Sequence, residues 1–296
     1  MKWVTCALCL SAVACGQWEK YDGERPNLGT TVTLDAFKQA TTLDHLLLAS
    51  LVARHSGLSA DQSVVLLDYK AIADSVEASY LLDQYLAVLA TVDASQLVGQ
   101  EQRLAYWING YNAAVIKGVV ARFGGDPTFK VTDQPFFDDT SFTFGGVALT
   151  LNQLEQGVAR GKLDHAGVKG APAAALTAIQ RWHQELWQGK PVDARLHAAF
   201  NCAALSCPNL WATKPFVFDP AQLSAQLSAA TRAWLDSPKK GAGPDGISRL
   251  FDWYGEDFEA EQGGIDGFIT RHRTQGLNGV DRTRFLDYDW TLNILQ

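Results

Sequence analysis

Between residues 197 and 208 the chain reads HAAFNCAALSCP, which brings His197, Asn201, Cys202, Ser206, Cys207 and Pro208 into one short stretch. A thiolate beside an imidazole can carry acyl transfer: the sulfur adds to a carbonyl carbon and the histidine moves the proton. Cys202 is the candidate nucleophile and His197 the candidate base. On one continuous helix, side chains five residues apart would diverge by roughly 140°. The pair therefore needs His197 ahead of a helix and Cys202 in its first turn, where the helix N-terminus also lowers a thiol pKa. Two other readings stay open. Cys202 and Cys207 could form a disulfide, although their Cα atoms would lie about 8.6 Å apart in a regular helix, where a bridge needs less than about 7 Å. Pro208 disfavours helical geometry at Cys207, so the chain could turn there and close that gap. Alternatively, both thiols could be small hydrophobes in the core.

A thiol–imidazole pair needs a group to orient the histidine, and Asp289, between Tyr288 and Trp290, is the candidate. Asn109 and Asn112, three apart in AYWINGYNAAVI, and Asn201 are candidate polar stabilisers of a developing oxyanion. The simpler reading of Asn109 and Asn112 is structural, because buried amides must be satisfied and loop carbonyls are the usual partners. Trp107 and Tyr111 read as core. Glu155 and Arg160 read as a surface or interhelical ion pair. DWYGED, residues 252–257, reads as a strand-to-helix corner without chemistry. His165 and His183 lack partners at ligand spacing, and beyond Cys6–Cys9 near the start the chain holds no CxxC, HExxH or P-loop, so no metal and no cofactor is expected.

Several elements must position these residues. Residues 101–125, EQRLAYWINGYNAAVIKGVVARFGG, place Leu104, Trp107, Ile108, Tyr111, Val115 and Val119 on a wide apolar face and stop at paired glycines. Helical spacing is also read at 34–57, 71–90 and 171–191, and in LSAQLSAATRAWLDS. SVVLLDYK reads as a strand, and Gly145–Gly146 as the turn of a hairpin leading to a short helix opened by Asn152. KKGAGPDG reads as a loop, the segment after it as a short strand entering a helix, and RTRFLDYDWTLN as a strand running into a turn. No repeat or long linker divides the chain, so residues 31–296 are expected to form a single helix-rich α+β domain with a small antiparallel sheet.

The chain has 296 residues, nine tryptophans and fourteen phenylalanines, enough bulk for a substantial core. A net charge of −7 without a Lys/Arg cluster argues against nucleic acid as a partner. The first segment, MKWVTCALCLSAVACGQ, pairs Lys2 with an apolar run too short to span a bilayer. Residues 1–14 read as a lipoprotein-type signal peptide, Cys15 as the lipid-attachment residue and 15–30 as a tether. The alternative is a plain signal peptide cleaved after AVA. Either reading implies export, and the lipoprotein one places the chain at the bacterial cell envelope, lipid-anchored at the membrane surface and facing the periplasm or exterior. Export into an oxidising compartment with Cys15 lipidated would leave only Cys202 and Cys207 as thiols.

Six ordered blocks, LDYK, AYWINGYNAAVI, LTLNQLEQGVAR, HAAFNCAALSCP, LFDWYGEDF and LDYDWTLN, resemble the domain-of-unknown-function 547 family from about Leu43 to Asn293. The resemblance carries over Trp107, Asn109, Tyr111, Asn112, Glu155, Arg160, His197, Asn201, Cys202, Ser206, Cys207, Pro208, Tyr288, Asp289, Trp290 and Asn293. It implies no settled activity, since the family has none. Gln156 stands where a histidine is common, which argues against metal or acid/base chemistry there. Gly110 replaces an apolar residue and should weaken its helix by about 1 kcal/mol relative to alanine. Two functions follow. One is a thiol-dependent hydrolase or acyl transferase acting on peptide, amide or cell-wall bonds. The other is a non-catalytic binding or scaffolding domain for an unknown protein partner, stapled by a Cys202–Cys207 disulfide.

Overall fold

The longest helix organises the fold. In the computed structural model, which describes residues 34–126 and 128–295, the elements run in this order. A 3-10 turn at Leu34–Gln39 precedes α1 (Leu46–His55), β1 (Ser56–Leu58), β2 (Val65–Leu67), α2 (Tyr69–Asp74), α3 (Val76–Thr91) and α4 (Gln100–Phe123). Then come α5 (Phe136–Asp139), β3 (Ser141–Phe144), β4 (Val147–Thr150), a π-helix (Gln153–Ala159), α6 (Ala166–Lys169) and α7 (Ala173–Trp187). A 3-10 turn at Ala194–Ala198 leads to α8 (Leu223–Asp236), β5 (Ala242–Gly243), β6 (Gly246–Ile247), α9 (Leu250–Trp253), α10 (Gly255–Glu259) and α11 (Gly264–His272). The expected helix-rich α+β class holds, with the sheet split into three antiparallel two-strand ribbons. The signal peptide, Cys15 and the tether lie outside the described residues. Among the described residues no helix is long and apolar enough to cross a membrane.

Helix α4 carries apolar residues around most of its circumference and is buried from Leu104 to Ile116. It ends at Gly124, whose φ of 56° is the left-handed stop expected from the paired glycines. The β3–β4 hairpin turns at Gly145 and Gly146, both at positive φ, and their amides donate to Leu89 O and Ala90 O of α3. Docked there, Phe144 lies across Gly110 of α4. A Cβ at Gly110 would stand 2.9 Å from Phe144 Cε1. The glycine that weakens the helix locally is thus what admits the hairpin.

Several boundaries differ from the sequence reading. Pattern alone extends the first helix back to residue 34, but α1 begins at Leu46. SVVLLDYK yields only the short β2 before Asp68 caps α2 by accepting from Ala71 N. The segment after β4 is opened by Thr150 rather than Asn152. Thr150 Oγ1 accepts from Gln153 N at 3.2 Å and Gln153 Oε1 accepts from Thr150 N at 3.1 Å, a reciprocal cap. KKGAGPDG is not a plain loop, since it forms the β5–β6 ribbon.

The core has two parts. The larger surrounds α4; the smaller collects Trp234, Phe251, Phe258 and Phe268 from α8 to α11. The Ala194–Ala198 turn lies at their seam, giving Leu196 to the first and Ala194 and Ala198 to the second. Gly110→Ala is expected to destabilise the protein by about 1–3 kcal/mol despite the better helix propensity, because a packed ring must move. Urea unfolding would measure this, and Phe144→Leu in the same chain should recover part of the loss. A stabilised Gly110→Ala would contradict the packing argument.

Candidate active site

The chain from Ala199 to Pro208 is mostly buried yet has no helix or ladder of its own, so its backbone groups need partners from elsewhere. Asn112 of α4 supplies the first: its Nδ2 donates to Ala199 O at 3.0 Å and its Oδ1 accepts from Asn201 N at 2.9 Å. Asn201 then folds the loop on itself, accepting from Ala203 N at 3.0 Å and donating to Pro208 O at 2.8 Å. Lys240 Nζ donates to Cys207 O at 2.9 Å. Its amine, away from any carboxylate partner, is pulled down by burial to about 8.

The C-terminal segment completes the loop. Leu205 N donates to Thr291 O, Asn293 N to Ala203 O, and Asp289 N to Ser206 Oγ. Asn293 in turn accepts from Tyr69 OH at 2.7 Å. Ala203, next to Cys202, is held at φ 66°, a left-handed conformation that costs an alanine about 1 kcal/mol or more. Such strain beside a thiol is a common mark of a functional turn.

Asn109, Asn112 and Asn201 are therefore structural. Asn109 clamps Phe218 from both sides, donating to its carbonyl at 2.8 Å and accepting from its amide at 3.0 Å. The bonds these side-chain amides make all go to backbone. Asp289 is also corrected. Its carboxylate is exposed and accepts from Thr291 N at 2.9 Å, so it contributes its backbone rather than a charge. In this structure both cysteines are free thiols.

Cys202 is half-buried and Cys207 buried. Cys207 Sγ accepts from Cys202 N at 2.9 Å, and Tyr288 OH lies 3.1 Å from Cys202 Sγ. Burial alone would hold the Cys202 thiol neutral, but hydrogen bonds from Cys207, Tyr288 and the Ala204 amide outweigh it and bring its pKa below the usual thiol value. Burial, reinforced by Cys202, pushes Cys207 well up. Burial and the two sulfurs likewise raise Tyr288, which stays a neutral donor. No helix N-terminus acts on Cys202, which follows a 3-10 turn with no helix beginning at it.

His197 and Cys202 line one cavity of about 190 Å³. No hydrogen bond joins them in this structure. His197 Nε2 bonds Asp257 Oδ2 at 2.9 Å, and Arg160 Nε donates to the same oxygen at 2.5 Å. Burial opposes ionisation of Asp257, yet the bonds from His197 and Arg160 prevail and bring its pKa to about 2. Burial lowers the His197 pKa in spite of Asp257, which favours a neutral ring. A neutral ring facing a carboxylate carries its proton on Nε2. With Nε2 making the one hydrogen bond shown for the ring among the described residues, Nδ1 is left with a lone pair.

Asp257 and Tyr254 come from DWYGED, a stretch the sequence reading left without chemistry. Tyr254 stacks on His197 with centroids 4.3 Å apart and donates to Glu155 Oε1 at 2.6 Å. The expected Glu155–Arg160 pair is thus replaced: Arg160 serves Asp257 and Gln156, while Glu155 faces the tyrosines. Glu155 reaches the cavity from the π-helix, a form frequent at functional sites. The sequence signal that could have found Asp257 was the LFDWYGEDF block itself. Among the described residues, no three His, Cys, Asp or Glu side chains cluster as metal ligands would.

Residues 95–235 match the model of a protein family of unknown function, DUF547. The match supports the family resemblance over that stretch, which holds Glu155, Arg160, His197, Cys202 and Cys207. Tyr254, Asp257, Tyr288 and Trp290 lie beyond its end, so the DUF547 stretch supplies the sulfur and imidazole while the following residues supply their partners. No curated protein and no solved structure matches the chain.

Asp257 has a folded-state pKa below its unfolded value, so its contribution to stability is present above about pH 4 and lost as pH falls toward 2. That contribution is on the order of 2 kcal/mol for a shift of this size. Unfolding free energies measured by urea from pH 5 to pH 2 should fall less steeply in Asp257→Asn than in the wild type. Equal slopes would remove Asp257 as the partner of His197.

Proposed function

We propose that the chain is a cysteine-dependent hydrolase or acyl transferase, with Cys202 as nucleophile, His197 as base and Asp257 as orienter. The observation that carries this reading is a half-buried thiol, with the Tyr288 hydroxyl at its sulfur, opening onto the same cavity as an imidazole whose Nε2 is held by a carboxylate. His197 Nδ1 takes the Cys202 proton as the sulfur adds to a carbonyl carbon. The tetrahedral adduct then collapses to a thioester, and the leaving amine or alcohol departs with the proton from His197. In hydrolysis, His197 next removes a proton from the attacking water, and the thioester breaks to return the thiol. Tyr288 OH, the hydroxyl donor already at the sulfur, is placed to follow the charge toward the carbonyl oxygen. Peptide, amide and cell-wall acyl groups are the substrate classes this chemistry covers.

The pH dependence of alkylation by iodoacetamide, followed by intact mass, tests the sulfur. In protein purified without reductant, Cys202 should alkylate with a midpoint below that of a free thiol, about 8.5. Tyr288→Phe should raise that midpoint by about one unit, as expected for losing a hydrogen bond to a charged acceptor. Incubation with activated thioesters should leave an acyl mass on Cys202 that His197→Ala retains longer. Complete Cys202–Cys207 oxidation in the isolated protein would instead favour the non-catalytic, stapled domain.

The leader sequence supports an envelope address with lipid attachment at Cys15, and we include that placement in the proposal. Metabolic labelling with an alkyne-bearing fatty acid should mark the full-length chain and not Cys15→Ala. Equal labelling of the two would exclude Cys15 as the attachment point.

A further inference from the structure

Glu155 is 6 % exposed and, among the described residues, forms no ion pair. A carboxylate that far from water is ordinarily matched by a cation. Tyr254 OH donates to it, Tyr111 bonds to it and Gln156 Nε2 donates at 3.5 Å, but these neutral groups bring no opposite charge to the carboxyl. The nearest basic side chain in sequence, Arg160, is committed to Asp257. Among the residues lining it, the cavity therefore presents one carboxylate and the two sulfurs, with His197 as its sole basic group and that ring favoured as neutral.

The mouth of the same cavity is aromatic. Trp253, Tyr288 and Trp290 pack together with centroid separations of 4.8, 5.7 and 4.6 Å, yet Trp253 is still 43 % exposed. Aromatic faces attract cations through their quadrupoles, and most strongly when water is excluded. At about 190 Å³ the cavity is below the size of pockets that take drug-like molecules, roughly 300 Å³ and above. It has room for one small group rather than a length of chain.

We infer that this cavity recognises a small, positively charged amine, and that the Glu155 carboxylate pairs with it beneath the Trp253–Tyr288–Trp290 rim. The inference deepens the proposed function: the acyl group delivered to Cys202 would carry a free ammonium, as an unblocked aminoacyl group does. Glu155 then determines specificity, and its pairing with the ligand supplies the cation that the folded chain withholds.

Binding can be separated from reaction by using Cys202→Ala in the full chain. L-alaninamide, a cation near neutral pH, and N-acetyl-L-alaninamide, its neutral analogue, would be compared by ligand-observed NMR and calorimetry. The charged ligand should bind at least tenfold more tightly, and Glu155→Gln in the same background should abolish that preference. Equal affinities, or no saturable binding of L-alaninamide, would overturn the inference, whatever iodoacetamide reports about the sulfur of the unmodified protein. Were Glu155→Gln to lose its cooperative thermal unfolding, the comparison of the two ligands in Cys202→Ala would still decide.

Discussion

Buried backbone amides and carbonyls without a helix or sheet must be satisfied by something, and in this protein that requirement organises the site. The chain from Ala199 to Pro208 crosses the interior in irregular conformation. Its hydrogen bonds go to Asn112 on the central helix, to its own Asn201, to Lys240, and to the backbone of residues 289–293. Each partner also has a positional effect. The pairing with the C-terminal segment sets Tyr288 against the sulfur, and the Asn201 bonds hold Ala203 in its left-handed turn.

Electrostatics then divide the site into a paired half and an unpaired half. Asp257 receives both His197 and Arg160 on one oxygen, so the orienting carboxylate is neutralised and the imidazole can stay uncharged. Among the described residues Glu155 receives neutral donors alone: the hydroxyls of Tyr254 and Tyr111 and, at 3.5 Å, Gln156 Nε2. The sulfur lies between a donor phenol and a second thiol. The two carboxylates thus have different partners, and of the pair only Glu155 lines the cavity.

Much of the scaffold was legible from local pattern. Helix α4, its glycine stop, the Gly145–Gly146 hairpin and the α8 helix depend on periodicity and backbone conformational preference, which act over a few residues. The structural reading of Asn109 and Asn112 was also accessible, because a buried amide must be bonded whatever its partner. Gly110 shows the limit of that logic: propensity marks it as a defect, and only the Phe144 ring lying across it explains why it belongs there.

By itself the sequence established a helix-rich α+β chain, a resemblance to a family without settled activity, and the sulfur and imidazole that could do chemistry. Tertiary structure alone decided which carboxylate serves His197. Asp289 and Asp257 are equally plausible as residue types, but one is turned outward by a local turn and the other is drawn inward by Arg160. It also separated Glu155 from Arg160, although they stand one π-turn apart in the chain. The physical reason is range. Periodicity and capping are encoded among neighbours, whereas charge pairing inside a protein depends on distances of a few ångströms between segments tens of residues apart.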